Sequence, residues 1–265
     1  MKYIRLYLNF VKNSFRRDSM YRFNFVVNMF TVVLGYVSNV LFFYFLYNTG
    51  IEDISGWSRY QVYILLATVW IIDSIFGGVF FFNLIRIPMK VENYDLDSIL
   101  TKPVNPVFMI SMRQFNTGLF AGTFFGAGFL IYTLFAANFK IQFMNIISYI
   151  VLILCGVLIL FSVLFIMVTF SLRFVRIQGL IKMFWTMMEI GKNPFSIYPN
   201  ILRFAFVFLI PAITIYNFPS SVLTDSCYMP GMSMIVTLLI SVFVTLFFLI
   251  VSIQYFKKSL KFYYR

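Results

Sequence analysis

Apolar residues run through this chain in six long blocks separated by short polar breaks, at roughly 25–47, 60–82, 107–136, 145–171, 201–222 and 231–256. A hydrocarbon core about 30 Å thick takes about 20 apolar residues of helix to cross, so each block predicts one transmembrane span. Lipid offers the backbone no hydrogen-bond partner, and a helical bundle is the architecture that satisfies every amide internally. The breaks leave little room for a soluble domain. Residues 1–265 therefore read as a single all-α, polytopic membrane domain with six transmembrane helices plus cytoplasmic interfacial helices.

Two stretches outside the blocks have a different period. In 3–15 the apolar side chains Tyr3, Leu6, Tyr7, Phe10, Val11 and Phe15 recur every three or four residues, with Arg5, Lys12, Arg16 and Arg17 mostly elsewhere. That pattern predicts a helix lying in the headgroup plane, either a simple anchor or an elbow over 1–22 that braces the bundle. A second amphipathic stretch, Ile177 to Ile190, lies within a 172–200 segment expected at the same surface before a turn at Asn193-Pro194. Between spans two and three, residues 83–106 hold several carboxylates, an apolar stripe of Leu96, Ile99 and Leu100, and prolines at 103 and 106. The prolines stop the preceding helix and stiffen the entry to span three. A stripe of that kind is not needed in water alone and predicts that something docks there.

Composition adds a direction to this topology. The chain is 61% hydrophobic with a formal net charge of +12. Nineteen of its 21 Lys and Arg residues fall before span one, after span six, or in the links between spans two and three and between four and five; only Arg59 and Lys140 fall in the opposite loops. Basic residues concentrate on the cytoplasmic side of membrane proteins, so both termini are expected in the cytoplasm. Dispersed at helix ends, these cations have a topological role and give no nucleic-acid surface. The first 22 residues are basic and interrupted, and the first apolar run lacks a cleavage signature, so no secretory signal is expected. Cys155 sits in span four and Cys227 in an outer loop, too far apart for a disulfide.

The absence of histidine removes Ser-His and Cys-His nucleophilic sites and the usual His-rich metal sites, and no metal site is expected. No Gly-x-x-x-x-Gly-Lys-Ser/Thr loop occurs, so the chain has no phosphate cradle of that kind and is not expected to be an enzyme. Within the spans, Asp73 is conspicuous. An ionised carboxylate there costs on the order of 2.5–3.5 kcal/mol, so it must be protonated, paired or facing water. Arg113 is one candidate partner, with Asn28, Asn39 and Asn116 as others. Gly118, Gly122 and Gly126 share one face of span three and predict close approach of another helix, within the bundle or from a second subunit. Pro211 predicts a kink in span five, and Pro219 marks its outer end.

The run Asp95-Leu96-Asp97-Ser98-Ile99-Leu100-Thr101-Lys102-Pro103-Val104-Asn105-Pro106 resembles the Leu-Asp-x-x-Leu-x-(Arg/Lys)-Pro-Val-x-Pro signature of ABC-2 type transporter permeases, six-helix membrane subunits of bacterial ATP-binding-cassette exporters. Tyr198-Pro199, Ile210-Pro211 and Phe218-Pro219 are similar to pairs along that family's fifth span. The resemblance implies a permease of the bacterial plasma membrane that pairs with a second permease, as a homodimer or with a paralogue, and with separate ABC ATPase subunits. Those subunits would carry the ATP and Mg, leaving this chain with no cofactor. It also implies that 83–106 is the coupling segment, with Glu92, Tyr94, Asp95, Leu96, Asp97, Ile99, Leu100, Lys102 and Pro103 at or near the ATPase. The expected function is outward movement of an amphipathic or hydrophobic substrate, a peptide, lipid or toxin. The alternative is an ion-coupled secondary transporter, with Asp73 binding the coupling ion and Pro211 breaking a helix.

Overall fold

The computed structural model describes residues 2–20, 22–50, 52–93, 95–139, 141–173, 178–226 and 228–263; Tyr94 and Cys227 lie outside the described residues. Helices α1 (Lys2–Met20) and α2 (Arg22–Asn48) lead to a small antiparallel hairpin of β1 (Asp53–Ile54) and β2 (Trp57–Ser58). α3 (Arg59–Phe76) continues through a π-helical turn at Gly77–Phe81 into α4 (Phe82–Leu84). The link that follows holds α5 (Ile87–Glu92), α6 (Asp97–Leu100) and α7 (Pro106–Ser111). α8 (Thr117–Ala136), α9 (Phe143–Thr169), α10 (Gln178–Glu189), α11 (Asn200–Phe208), α12 (Ala212–Thr224) and α13 (Met234–Tyr263) complete the chain. Among the described residues, five stretches are long and apolar enough to cross a membrane: Phe25–Asn48, Arg59–Glu92, Thr117–Ala136, Phe143–Leu172 and Met234–Lys261. The bent pair α11 and α12 brings the number to six when the two are taken as one span. The chain is an all-α polytopic helical bundle.

The span begun by α3 is the centre of the bundle: 78% of its most apolar window is buried, against 6% for α2. Large apolar side chains on α2, α8 and α13, such as Phe30, Phe124 and Phe243, point away from the molecule, as expected of helices that face lipid or another subunit. The closest packing is α8 on α3, and glycine makes it possible. An added Cβ at Gly126 would lie 2.9 Å from Ile71 Cγ1 and 3.2 Å from the Ile71 backbone nitrogen, and one at Gly122 would meet Ser74 Oγ and lie 2.7 Å from the Tyr36 hydroxyl. Gly118 lies nearer α2, with an added Cβ 3.7 Å from Asn28. The three glycines thus bring α8 against helices of the same chain. Gly77 and Gly78 reciprocate from the π-helical turn, where an added Cβ would crowd Leu119 and Phe120. In lipid, apolar bulk gains little from association, so this close fit supplies the attraction.

Three spans depart from the hydropathy reading. The third begins at Thr117 rather than 107, because polar side chains capture the backbone of 112–116. Asn83 accepts from the Gln114 N–H at 2.8 Å and donates to its carbonyl at 2.7 Å. The Asn116 N–H donates to the Gly78 carbonyl at 2.8 Å, while its side chain caps α8 by accepting from Leu119 at 2.9 Å. Such side chains offer the backbone an alternative to helix. The fifth span is not one helix: α11 and α12 meet at 99° across Leu209–Pro211, where proline removes a donor. Pro219 lies inside α12 rather than at its end. It leaves the Ile215 carbonyl without its helical donor, and Gly156 of α9 packs there, an added Cβ lying 3.0 Å from that oxygen. Span two extends beyond 82, its apolar stretch continuing into the link as far as Glu92.

At the end of the bundle holding both chain termini, α1 is bound to the start of span three. The Phe115 N–H donates to Ser14 Oγ at 3.1 Å, the Thr117 hydroxyl donates to Asp18 at 2.6 Å, and Tyr3 packs edge-on against Phe108. This is the geometry of a brace rather than of a free anchor.

A charged cavity in the centre of the bundle

Asp73 lies fourteen residues (73 minus 59) beyond Arg59 on α3, or about 21 Å along the helix at 1.5 Å per residue. Its carboxylate is paired. Lys192 Nζ lies 3.2 Å from Oδ2, and the Tyr216 hydroxyl of α12 donates to Oδ1 at 2.6 Å. The same ammonium lies 2.8 Å from Glu189 Oε1, so one cation serves two anions. A neighbouring cation of this kind removes much of the cost of an ionised carboxylate in a span.

Lys192 reaches Asp73 because the 178–192 segment packs one face into the bundle. Phe184 and Met188 of α10 are fully buried, with Phe184 against Phe76 and Trp185 against Phe81 at 5.2 Å between ring centroids. α10 therefore packs along α9, sets its aromatic side chains against the end of α3 and the π-helical turn, and hands the chain to a 3-10 turn, Ile190–Lys192, beneath α12. Gly191 is needed there: a Cβ would collide with the Ala212 carbonyl. Asn217, fully buried on α12, fixes both sides of the turn, donating to the Gly191 carbonyl at 2.7 Å and accepting from the Phe195 N–H at 3.0 Å.

The three charges line a cavity of about 470 Å³ between α2, α3 and the end of α10. Tyr36 and Trp70 stack at 4.2 Å on one wall, with the Tyr36 hydroxyl 2.8 Å from Ser74 Oγ. Lys192 lies 5.6 Å above the Trp185 ring. Asn39 and Asn193 add neutral polar groups. A second cavity of about 390 Å³ opens at the terminal end, with Arg17, Asp18, Arg86 and Gln114 in its lining.

The sequence-derived candidates fall in different places. Asp73 lines the cavity, but Arg113 is solvent-exposed beyond the start of span three and is not its partner. Asn39 lines the same cavity, and its amide donates to the Gly35 carbonyl of its own helix. In the 83–106 link Leu96 is 0% and Ile99 1% exposed, buried in the chain's own core, with Leu100 half-buried beside them. The apolar stripe is consumed inside the chain's own core. Met89, Glu92, Asp95, Asp97, Lys102 and Pro103 are among the residues that face outward. Lys192, Tyr216, Glu189 and Asn217 escaped notice as site residues. Lysine at a helix end read as a topological charge, although the Tyr-Asn pair in an apolar span was a usable signal.

Buried polar contacts and a cavity within a bundle of membrane-length helices are features a membrane transport protein requires. The chain matches the family model described as ABC-2 family transporter protein over residues 33–265, and it belongs to that family. No curated protein and no solved structure matches it.

Proposed function

We infer that the chain is the membrane permease of an ABC-2 type exporter, moving an amphipathic or hydrophobic substrate outward with energy from a separate ATPase. The observation that carries this reading is the family match over 33–265. The exposed acidic face of Glu92, Asp95 and Asp97, held on the buried Leu96 and Ile99, is the surface on which the ATPase docks. Movement there passes to span three through Asn83 and Gln114 and to α1 through Ser14 and Asp18. A second permease completes the transporter by covering the apolar outer faces, and the termini lie in the cytoplasm of a bacterial cell. The ion-coupled alternative is disfavoured by Lys192, which occupies the position beside Asp73 that a coupling cation would take.

Purification of the tagged chain from its native membrane tests the reading. An ATP-hydrolysing partner should accompany the wild type, and Glu92→Lys/Asp97→Lys should lose it while remaining folded in the membrane. Recovery of a folded wild-type chain with no nucleotide-binding partner would refute it.

A further inference from the structure

Resting on that permease reading, we propose that the cavity formed by Asp73, Lys192 and Glu189 recognises a cationic amphiphile, a substrate with an apolar body and one ammonium-like centre. The charge balance points this way. Two carboxylates share one ammonium, and among the described residues no other lining side chain carries a charge, so the described lining holds a formal surplus of one negative charge. A low-dielectric surround strengthens the pull of that surplus on a cation. The two carboxylates are not equivalent. The Asp73 side chain is 20% exposed and held by Lys192 and Tyr216, whereas that of Glu189 is 63% exposed with Lys192 as its partner. Glu189 is the anion an incoming ligand meets first. An anionic ligand finds the cavity's cation already doubly engaged.

The walls suit the rest of such a molecule. The stacked Tyr36 and Trp70 rings, Phe43, Phe81 and Trp185 present aromatic surface, which attracts cations through the ring quadrupole as well as apolar bodies. A volume of about 470 Å³ lies within the range that holds small organic ligands.

Two of the three tryptophans, Trp70 and Trp185, line this cavity, while Trp57, on β2, is buried against Phe195, so intrinsic fluorescence reports on it. The full chain in nanodiscs of zwitterionic lipid should show saturable quenching by tetraphenylphosphonium but not by tetraphenylborate, an anion of nearly the same shape. Glu189→Gln should weaken phosphonium binding about tenfold, and Glu189→Lys should abolish it. The exposed position of Glu189 makes both variants compatible with folding, and the identical lipid cancels non-specific partitioning. Equal quenching by the two ions, or unchanged phosphonium affinity in Glu189→Gln, would overturn the proposal. The assay needs no ATPase. A chain that retains its ATPase yet ignores the cation loses only the substrate class, and one that binds the cation without any ATPase loses the permease reading instead.

Discussion

At the scale of single residues, the central cluster is asymmetric in a way that fixes the outcome of substitution. Lys192 is the shared partner of Asp73 and Glu189, so Lys192→Met strands a carboxylate in the bundle, a change that costs roughly 3–5 kcal/mol when a buried pair loses one partner. Asp73→Asn leaves Lys192 its contact with Glu189 and keeps a hydrogen-bonding group for Tyr216, so its cost should be near 1 kcal/mol. The double variant Lys192→Met/Asp73→Asn should recover much of the stability lost in Lys192→Met, because the two residues act as one unit. Thermal midpoints in detergent, followed by size exclusion after heating, check the cycle; simple additivity would show that the pair is not coupled. Asn217 makes the same argument for neutral groups. Asn217→Leu leaves the Gly191 carbonyl and the Phe195 N–H unpaired, each worth about 1–3 kcal/mol when buried, and should lower the midpoint further than a surface change such as Asn93→Ala.

At the scale of elements, glycine contacts separate packing from helix propensity on a single helix. Gly126 and Gly128 are two residues apart on α8, yet an added Cβ meets Ile71 at the first and nothing within 4 Å at the second. Gly126→Ala should therefore lose about 1–3 kcal/mol through overpacking, while Gly128→Ala should be neutral or gain up to about 1 kcal/mol. Equal effects at both positions would contradict the α3–α8 contact. The existence of α2, α3, α8, α9 and α13 was legible because length and continuous hydropathy suffice to specify a span. The bend at Pro211 was legible in its place but not in its 99° size, and the start of α8 and the packing of α10 into the bundle were not legible. The last two depend on contacts distant in sequence, Asn83 with Gln114 and Asn217 with Gly191. Asp73 stood out because a carboxylate in an apolar run is costly wherever it goes; its partner did not, because Lys192 lies 119 positions away (192 minus 73) and carries no local sign of being buried.

At the scale of the whole molecule, the buried stripe of the 83–106 link divides two kinds of failure that the sequence alone would merge. Leu96 and Ile99 belong to the hydrophobic core, whereas Asp95 and Asp97 beside them face outward. Leu96→Asp places a charge where no solvent reaches, so it should damage the fold itself, with low recovery from the membrane and a lowered thermal midpoint. Asp97→Lys should leave expression and the midpoint within about 0.5 kcal/mol of wild type while weakening the ATPase and its transport-linked turnover. The arrangement also sets the direction of access. Cysteine placed at Asn93, exposed between α5 and α6, or at Gln142, exposed before α9 at the opposite end of the bundle, reports the side of the membrane when Cys227 is first replaced by serine. Impermeant maleimide applied to intact cells should modify Gln142→Cys and leave Asn93→Cys untouched until the cells are opened. The reverse pattern would place the acidic face outside the cell, where no ATP is hydrolysed, and would remove the physical basis for coupling through it.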